Sequence, residues 1–208
     1  MVRRTKADAL ATKAELLDAA ERLFSAQGVA NTSMMQVAEA AGVTRGAIYH
    51  HFENKLDLID SMMERVRLPF DQMIEQTSQR LVDNPLALLR ARLLNIVQLL
   101  DRDPHTQSVL TILFHKCEYV DDTLPIHFRH LRARNTCIDE CTLVLQQAIE
   151  RGQLPASANP AQIVVSMVAM IDGIIYNWLL DPEYFNIIEA AEHALDTFIA
   201  GLQQRTSA

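Results

Sequence analysis

The 208-residue sequence is marked first by what is missing from it. No stretch alternates apolar and polar residues between turn dipeptides, which argues against a strand-built fold. Internal repeats, low-complexity tracts and long Pro/Gly linkers are missing too. There is no His-Glu-x-x-His, no Gly-x-Ser-x-Gly, no phosphate-cradling glycine loop and no pair of acids in a catalytic setting, so neither enzyme activity nor a cofactor nor a metal is expected. An apolar leader behind basic residues is lacking, so no secretory signal is expected. Cysteine is scarce. Cys117, Cys137 and Cys141 make an odd number, which fits a reducing cytoplasm. Cys137 and Cys141 stand one helical turn apart, a spacing at which a straight helix does not bring the Cβ vectors into disulfide geometry.

Positive charge is short as well. The net charge of −7 argues against an unspecific nucleic-acid binder. Residues 1–55 nevertheless hold seven Lys/Arg against six Asp/Glu, while 56–208 hold twelve against twenty. A DNA-binding face is therefore permitted at the N-terminus and disfavoured elsewhere. The longest apolar run, Ile163 to Leu180, approaches membrane-spanning length. It carries Ser166, Asp172 and Asn177 and has no basic flanks, so a buried helix is expected and a membrane partner is not.

What is present is helical periodicity, broken by Pro, Gly and capping residues. The pattern predicts an all-α chain of nine helices in two parts. The first helix runs from Asp8 to Gln27, with Leu10, Leu17 and Phe24 along one stripe and Gly28 as its stop. Ser33-x-x-Gln36 is a capping box opening the second, and Thr44 opens the third. A long fourth helix spans Lys55 to Leu81, with a kink expected at Pro69. Asn84-Pro85, Asp103-Pro104, Leu124-Pro125, Asn159-Pro160 and Asp181-Pro182 open the remaining five.

The segment from Met34 to Glu53 reads as a helix-turn-helix. Ala38 is small where two helices approach, Gly42 supplies the turn, and Val37, Val43 and Ile48 form an apolar wedge. On the outer side of the second helix, Arg45 suits a bidentate contact to a guanine edge, and Gly46 and Ala47 keep that side slim. Tyr49 and His50 are hydrogen-bonding groups suited to phosphates, and Lys55 begins the next helix.

The run Val43-Thr44-Arg45-Gly46-Ala47-Ile48-Tyr49-His50-His51-Phe52-x-Asn54-Lys55 resembles the recognition-helix signature of TetR-family regulators. Val2-Arg3-Arg4-Thr5-Lys6, Phe114-His115-Lys116-Cys117-Glu118, Arg151-Gly152-Gln153-Leu154-Pro155 and Asp172-Gly173 are similar to segments of that family's multidrug-efflux repressor branch. The resemblance covers nearly the whole chain. It implies a cytoplasmic homodimeric repressor that binds palindromic double-stranded operator DNA and is released by a hydrophobic small-molecule effector. Residues 1–55 would be the DNA-binding domain, and 56–208 would serve ligand binding and dimerisation.

Candidate DNA contacts are Arg3, Arg4, Lys6, Ser33, Thr44, Arg45, Gly46, Tyr49, His50 and Lys55. The effector pocket is expected among Phe70, Leu93, Ile96, Leu110, Leu113, Phe114 and Ile171, with Arg134, Cys137, Asp172 and Asn177 as its polar members. Asp172 stands out, because a carboxylate in an apolar run must be paired, protonated or solvated. A dimer interface is expected along Ile163, Met167, Met170, Ile174 and Trp178 on one helix and Ile188, Ala191, Leu195, Phe198 and Leu202 on the next; the alternative is that both stripes face the monomer's own core, Trp178 above all. The alternative is a metal- or thiol-sensing regulator, for which His115-x-Cys117, His127-x-x-His130, Cys137 and Cys141 would supply ligands.

Overall fold

A computed structural model of the chain describes residues 6–81, 83–117 and 124–204. Among these the chain is helical without a strand: α1 Lys6–Gln27, α2 Met34–Ala40, α3 Arg45–His51, α4 Lys55–Arg80, α5 Pro85–Arg102, α6 Pro104–Thr111, α7 Leu124–Glu150, α8 Pro160–Leu180 and α9 Ile187–Gln204. A π-helical turn, Ile112–Lys116, follows α6 directly. The sixth helix therefore loses its α-helical pattern at Thr111, eight residues after it opens. The ninth begins later than predicted. Asp181-Pro182 has the look of a helix opening, but the Asp181 amide closes α8 by donating to the Trp178 carbonyl. Asn186 is the real cap, its Oδ1 accepting from the amides of Ile188 and Glu189.

The chain forms two compact units. One comprises residues 1–67 and 105–129, the other 68–104 and 130–208. Helix α4 passes from the first to the second at Arg67–Leu68, two residues before Pro69. That proline lacks the N–H that would bond the Arg65 carbonyl, so the helix is weakest near this passage.

In the first unit α1 is the post on which the small helices are mounted. It packs against α2 and the π-helical turn, and α2 packs against α3. Leu16, Leu17, Ala19, Ala20 and Phe24 of α1 are buried with Val37, Ala38, Ile48 and Phe52. Leu10, predicted to share this stripe, is 62% exposed, because the stripe has run past its packing partners at that end of α1. Beneath the post lies a polar knot. Glu21 is only 5% exposed. Its Oε1 accepts from Arg65 Nη1 at 3.0 Å, and its Oε2 lies 2.8 Å from His105 Nδ1. Arg65 Nη1 also reaches Asp18 Oδ1 at 2.6 Å. One guanidinium thus serves three helices.

The second unit is built on α5, α8 and α9, which pack on one another. Arg90 on α5 forks onto Asp196 of α9 at 2.5 and 2.9 Å. The loop after α7 is tied to the start of α5: Gln153 accepts from the Leu86 amide and donates to Asn84 Oδ1, and Arg151 donates to the Asp83 carbonyl. Helix α8 has the length and apolar composition of a membrane span, yet eight of its residues, from Ile163 to Leu179, are buried against this unit.

Removing Arg65 strands a buried carboxylate, and broken buried pairs cost several kcal/mol. Arg65→Ala is expected to lose about 2–4 kcal/mol of unfolding free energy in urea. A loss below about 0.5 kcal/mol, the surface-pair level, would show that the knot contributes little.

Candidate functional site

Two short helices owe their existence to their caps, since seven residues do not sustain a helix alone. Ser33 Oγ accepts from the Gln36 amide while Gln36 Oε1 accepts from the Ser33 amide at 2.8 Å, completing the capping box on α2. Gly42 then takes φ +67°, a conformation open to glycine without a Cβ clash, and the Val43 amide donates back to Ala38. Thr44 Oγ1 accepts from the Ala47 amide and starts α3. Val37, Ala38 and Ile48 are buried and Val43 is half-buried, so the apolar wedge read from the sequence is in place.

With Ile48 turned inward, the rest of α3 faces out. Thr44, Arg45, Gly46, Tyr49 and His50 are all exposed, as are Ser33 and Lys6. The Arg45 guanidinium lies 5.7 Å from the Tyr49 ring centre, and the His50 and His51 rings meet edge-on at 5.3 Å. Arg3 and Arg4 lie outside the described residues. Lys55 departs from the group. Its ammonium donates to the Val29 carbonyl at 2.8 Å, while the Val29 amide donates to the Lys116 carbonyl. Lys55 thereby clamps the α1–α2 loop, where Gly28 at φ +84° passes so close that a Cβ would stand 3.4 Å from that same Lys116 oxygen. Met35, 46% exposed on the outer side of α2, was not among the expected contacts; an apolar residue inside a capping box gives no signal for it.

The expected effector residues divide between the units. Leu110, Leu113 and Phe114 belong to the first; Phe70, Leu93, Ile96, Arg134, Cys137, Ile171, Asp172 and Asn177 belong to the second. Within the second unit Leu93 and Ile171 are buried, while Phe70, Ile96, Cys137 and Asp172 are half-buried. Burial pushes the Asp172 carboxyl above the usual carboxylate range, partly offset by the charge of Arg134. The charges of Asp172 and Arg92 also bear on the Cys137 thiol, which stands one helical turn from the buried Cys141. Arg92 was missed, although an arginine in the apolar run Leu86–Leu100 was a visible anomaly. Asn177 is a correction: it is exposed and donates to the Gly173 carbonyl one turn back, so it faces away from the interior. Arg134 is exposed as well and donates to Asn135.

A cleft of about 370 Å³ does open in the second unit, but it is polar. Its walls include Thr77, Arg80, Arg90, Asn95, Gln98 and Glu192, and none of the expected pocket residues lines it.

The interface stripe also needs correction. Ile163, Met167, Trp178, Ala191 and Leu195 are buried within the single chain, so they belong to its own core. Met170, Ile174, Ile188, Phe198 and Leu202 are half-buried. The uncovered side of α8 is another one, with Val165, Ala169, Tyr176 and Leu180 exposed. Among the described residues, metal-ligating side chains converge at Asp18, Glu21 and His105 instead of at the expected histidines and cysteines, and Arg65 already fills that site with its guanidinium.

Residues 16–62 match the model of bacterial regulatory proteins of the tetR family, and residues 84–204 match that of the C-terminal region of MAATS-type transcriptional repressors. The chain is similar to the HTH-type transcriptional regulator TtgR of Pseudomonas putida, with 39% identity covering 95% of this chain and 94% of the relative. The crystal structure of NalD, described as the secondary repressor of the MexAB-OprM multidrug efflux pump in Pseudomonas aeruginosa, superposes with a TM-score of 0.78 at 35% identity, covering 95% of this chain and 98% of NalD. A SmeT–triclosan complex has a TM-score of 0.78 at 29% identity, covering 92% and 91% of the two chains.

A raised carboxyl pKa means that ionising Asp172 is harder in the folded chain than in the unfolded one. The ionised carboxylate therefore costs stability at neutral pH, and the cost vanishes as the pH falls through its raised pKa towards the unfolded value of 3.8. Asp172→Asn is expected to melt above the wild type at pH 7, with the gap closing by pH 4. A variant that melts below the wild type at pH 7 would show that the charge is well compensated.

Proposed function

The chain belongs to the TetR family of bacterial transcriptional regulators, and from that premise we propose that it is a cytoplasmic homodimeric repressor of a multidrug-efflux operon, released from its operator by hydrophobic small molecules. The observation that carries this reading is the outward face of α3. Thr44, Arg45, Gly46, Tyr49 and His50 stand exposed on a helix whose remaining side is locked by Ile48 and whose start is fixed by Thr44. Residues 1–55 act as the DNA head in this reading, and 56–208 serve effector binding and dimerisation.

Each contact has a distinct role. Arg45 reads a base edge in the major groove, as a guanidinium matches the N7 and O6 acceptors of guanine. Ser33, Thr44, Tyr49 and His50, with Lys6 and the arm residues Arg3 and Arg4, hold phosphates and set the register. Lys55, which clamps the loop through Val29, is assigned a phosphate contact at the start of α4. A palindromic operator requires two heads spaced about one DNA turn, roughly 34 Å, and hence two chains. The uncovered α8 side bearing Val165, Ala169, Tyr176 and Leu180, with Met170 and Ile174 at its margin, supplies the apolar surface for that pairing.

The effector site is assigned to the second unit, around Phe70, Leu93, Ile96, Cys137, Ile171 and Asp172. Its apolar members favour aromatic ligands, and Asp172, reluctant to ionise, offers a hydrogen-bonding carboxyl within apolar walls. Triclosan, the ligand seen with the relative SmeT, is a suitable first probe. An effector that binds the DNA-free form better must weaken the operator by the same factor, and tenfold needs only about 1.4 kcal/mol. Helix α4 carries residues of both units and is the shared element for this linkage.

Fluorescence anisotropy with duplex DNA from upstream of the chain's own coding region tests the reading. Saturable binding of two chains per duplex is expected, surviving random competitor and reversed by triclosan. Arg45→Ala is expected to lose about 1–3 kcal/mol of specific affinity and little non-specific affinity. Unchanged operator affinity in that variant would show that α3 is not the reading helix.

A further inference from the structure

The polar cleft of the second unit has no part in the effector site assigned above, which shares none of its residues. Two helix faces meet there. Met73, Thr77 and Arg80 recur at helical spacing along α4, and Ala91, Leu94 and Asn95 do so along α5. A volume of about 370 Å³ suits a small molecule. Asn95 is the anomaly in its wall. A side chain only 6% exposed is expected to have both ends of its amide met. Its Nδ2 donates to Thr77 Oγ1 at 3.2 Å, while that hydroxyl gives its own proton to the Met73 carbonyl at 2.7 Å. Thr77 can therefore only accept from Asn95, which fixes the amide with its nitrogen towards α4. Asn95 Oδ1 has no donor among the described residues. It is not sealed from solvent, so it opens into the cleft that Asn95 lines. A buried carbonyl left without a donor is costly, and a ligand O–H or N–H removes that cost.

The charges on the walls select the rest of the ligand. Arg90 is forked onto Asp196, and Glu192 stands within its field. Arg80, exposed at the end of α4, forms no ion pair among the described residues, so its charge is the one left over. A cationic ligand would face two guanidinium groups and find Glu192 already engaged. We propose that this cleft is a second ligand site that takes a small aromatic carboxylate bearing a hydroxyl group, with the carboxylate on Arg80 and the hydroxyl donating to Asn95 Oδ1. Thr77, which orients Asn95, stands one turn from Arg80 on α4, so the ligand's two polar ends must lie roughly 5–6 Å apart. A benzene ring substituted at opposite ends holds them at that span rigidly, and Met73 and Leu94 give its faces apolar wall. The site needs neither operator nor a second copy, so it stands apart from the repressor reading.

Titration calorimetry of the full-length protein with 4-hydroxybenzoate is the test. One molecule per chain is expected to bind saturably, with the sub-millimolar Kd of a ligand of about ten heavy atoms. Benzoate, which lacks the donor, and phenol, which lacks the anion, are each expected to bind at least about fivefold more weakly. Arg80→Gln, a change at an exposed position, is expected to remove the advantage of 4-hydroxybenzoate over phenol, and Asn95→Ala its advantage over benzoate. Should the buried Asn95 change unfold the chain, Ala91→Phe, which fills the cleft from α5, is expected to abolish binding. Saturating triclosan is expected to leave the affinity within about twofold, as for separate sites. Equal affinity for benzoate, unchanged binding in Arg80→Gln, displacement by triclosan, or no saturable binding at millimolar ligand would overturn the proposal. Binding that depends on Arg80 in a protein that binds no upstream DNA would support the cleft site and count against the repressor reading alone.

Discussion

Glu21 is the constraint on which the first unit rests. A carboxylate with 5% of its surface exposed is tolerable only when its oxygens are met, and Arg65 and His105 meet them. Satisfying that one side chain fixes α1, α4 and α6 against each other. The rest follows in sequence: α2 leans on α1, α3 leans on α2 through Ile48, and Lys55 and Lys116 between them engage both polar groups of the Val29 backbone. A reading helix of seven residues has no stability of its own. It can present Arg45 and Tyr49 in a fixed direction because a charged knot beneath α1 holds its mounting.

The second unit solves a different problem. Helix α8 is apolar almost all round, and a helix of that kind must be covered on most sides. Its own chain covers the side of Ile163, Met167 and Trp178, and the side of Val165 and Leu180 stays exposed. Asp172 sits in this helix as a carboxyl resisting ionisation, near Cys137 and within the field of Arg134. Polar groups held in apolar surroundings are where ligand chemistry concentrates, and here they gather within one unit.

Local chemistry was legible in the sequence and distant chemistry was not. Ser33 with Gln36, and Thr44 alone, announce helix starts because a cap involves residues only three apart. Gly42, Ala38 and Ile48 announce the turn and wedge for the same reason. Asp181-Pro182 misled because an identical local pattern serves as a helix end, with Asn186 capping five residues on. The α8 face misled because an all-apolar helix has no periodicity that selects an inner side. The Glu21 knot was invisible, since its partners lie 44 and 84 residues away. The bond from Lys55 to Val29, 26 residues back, was out of reach for the same reason. The effector residues fared least well, because enclosure is a property of several helices at once.

A repressor released by its effector requires that effector and operator compete through one protein. Titration calorimetry of triclosan into the free chain and into the chain saturated with operator duplex tests it most directly. Binding at least about tenfold weaker to the operator-bound form is expected, matching the factor by which triclosan loosens the operator. Equal affinity for the two forms would contradict it.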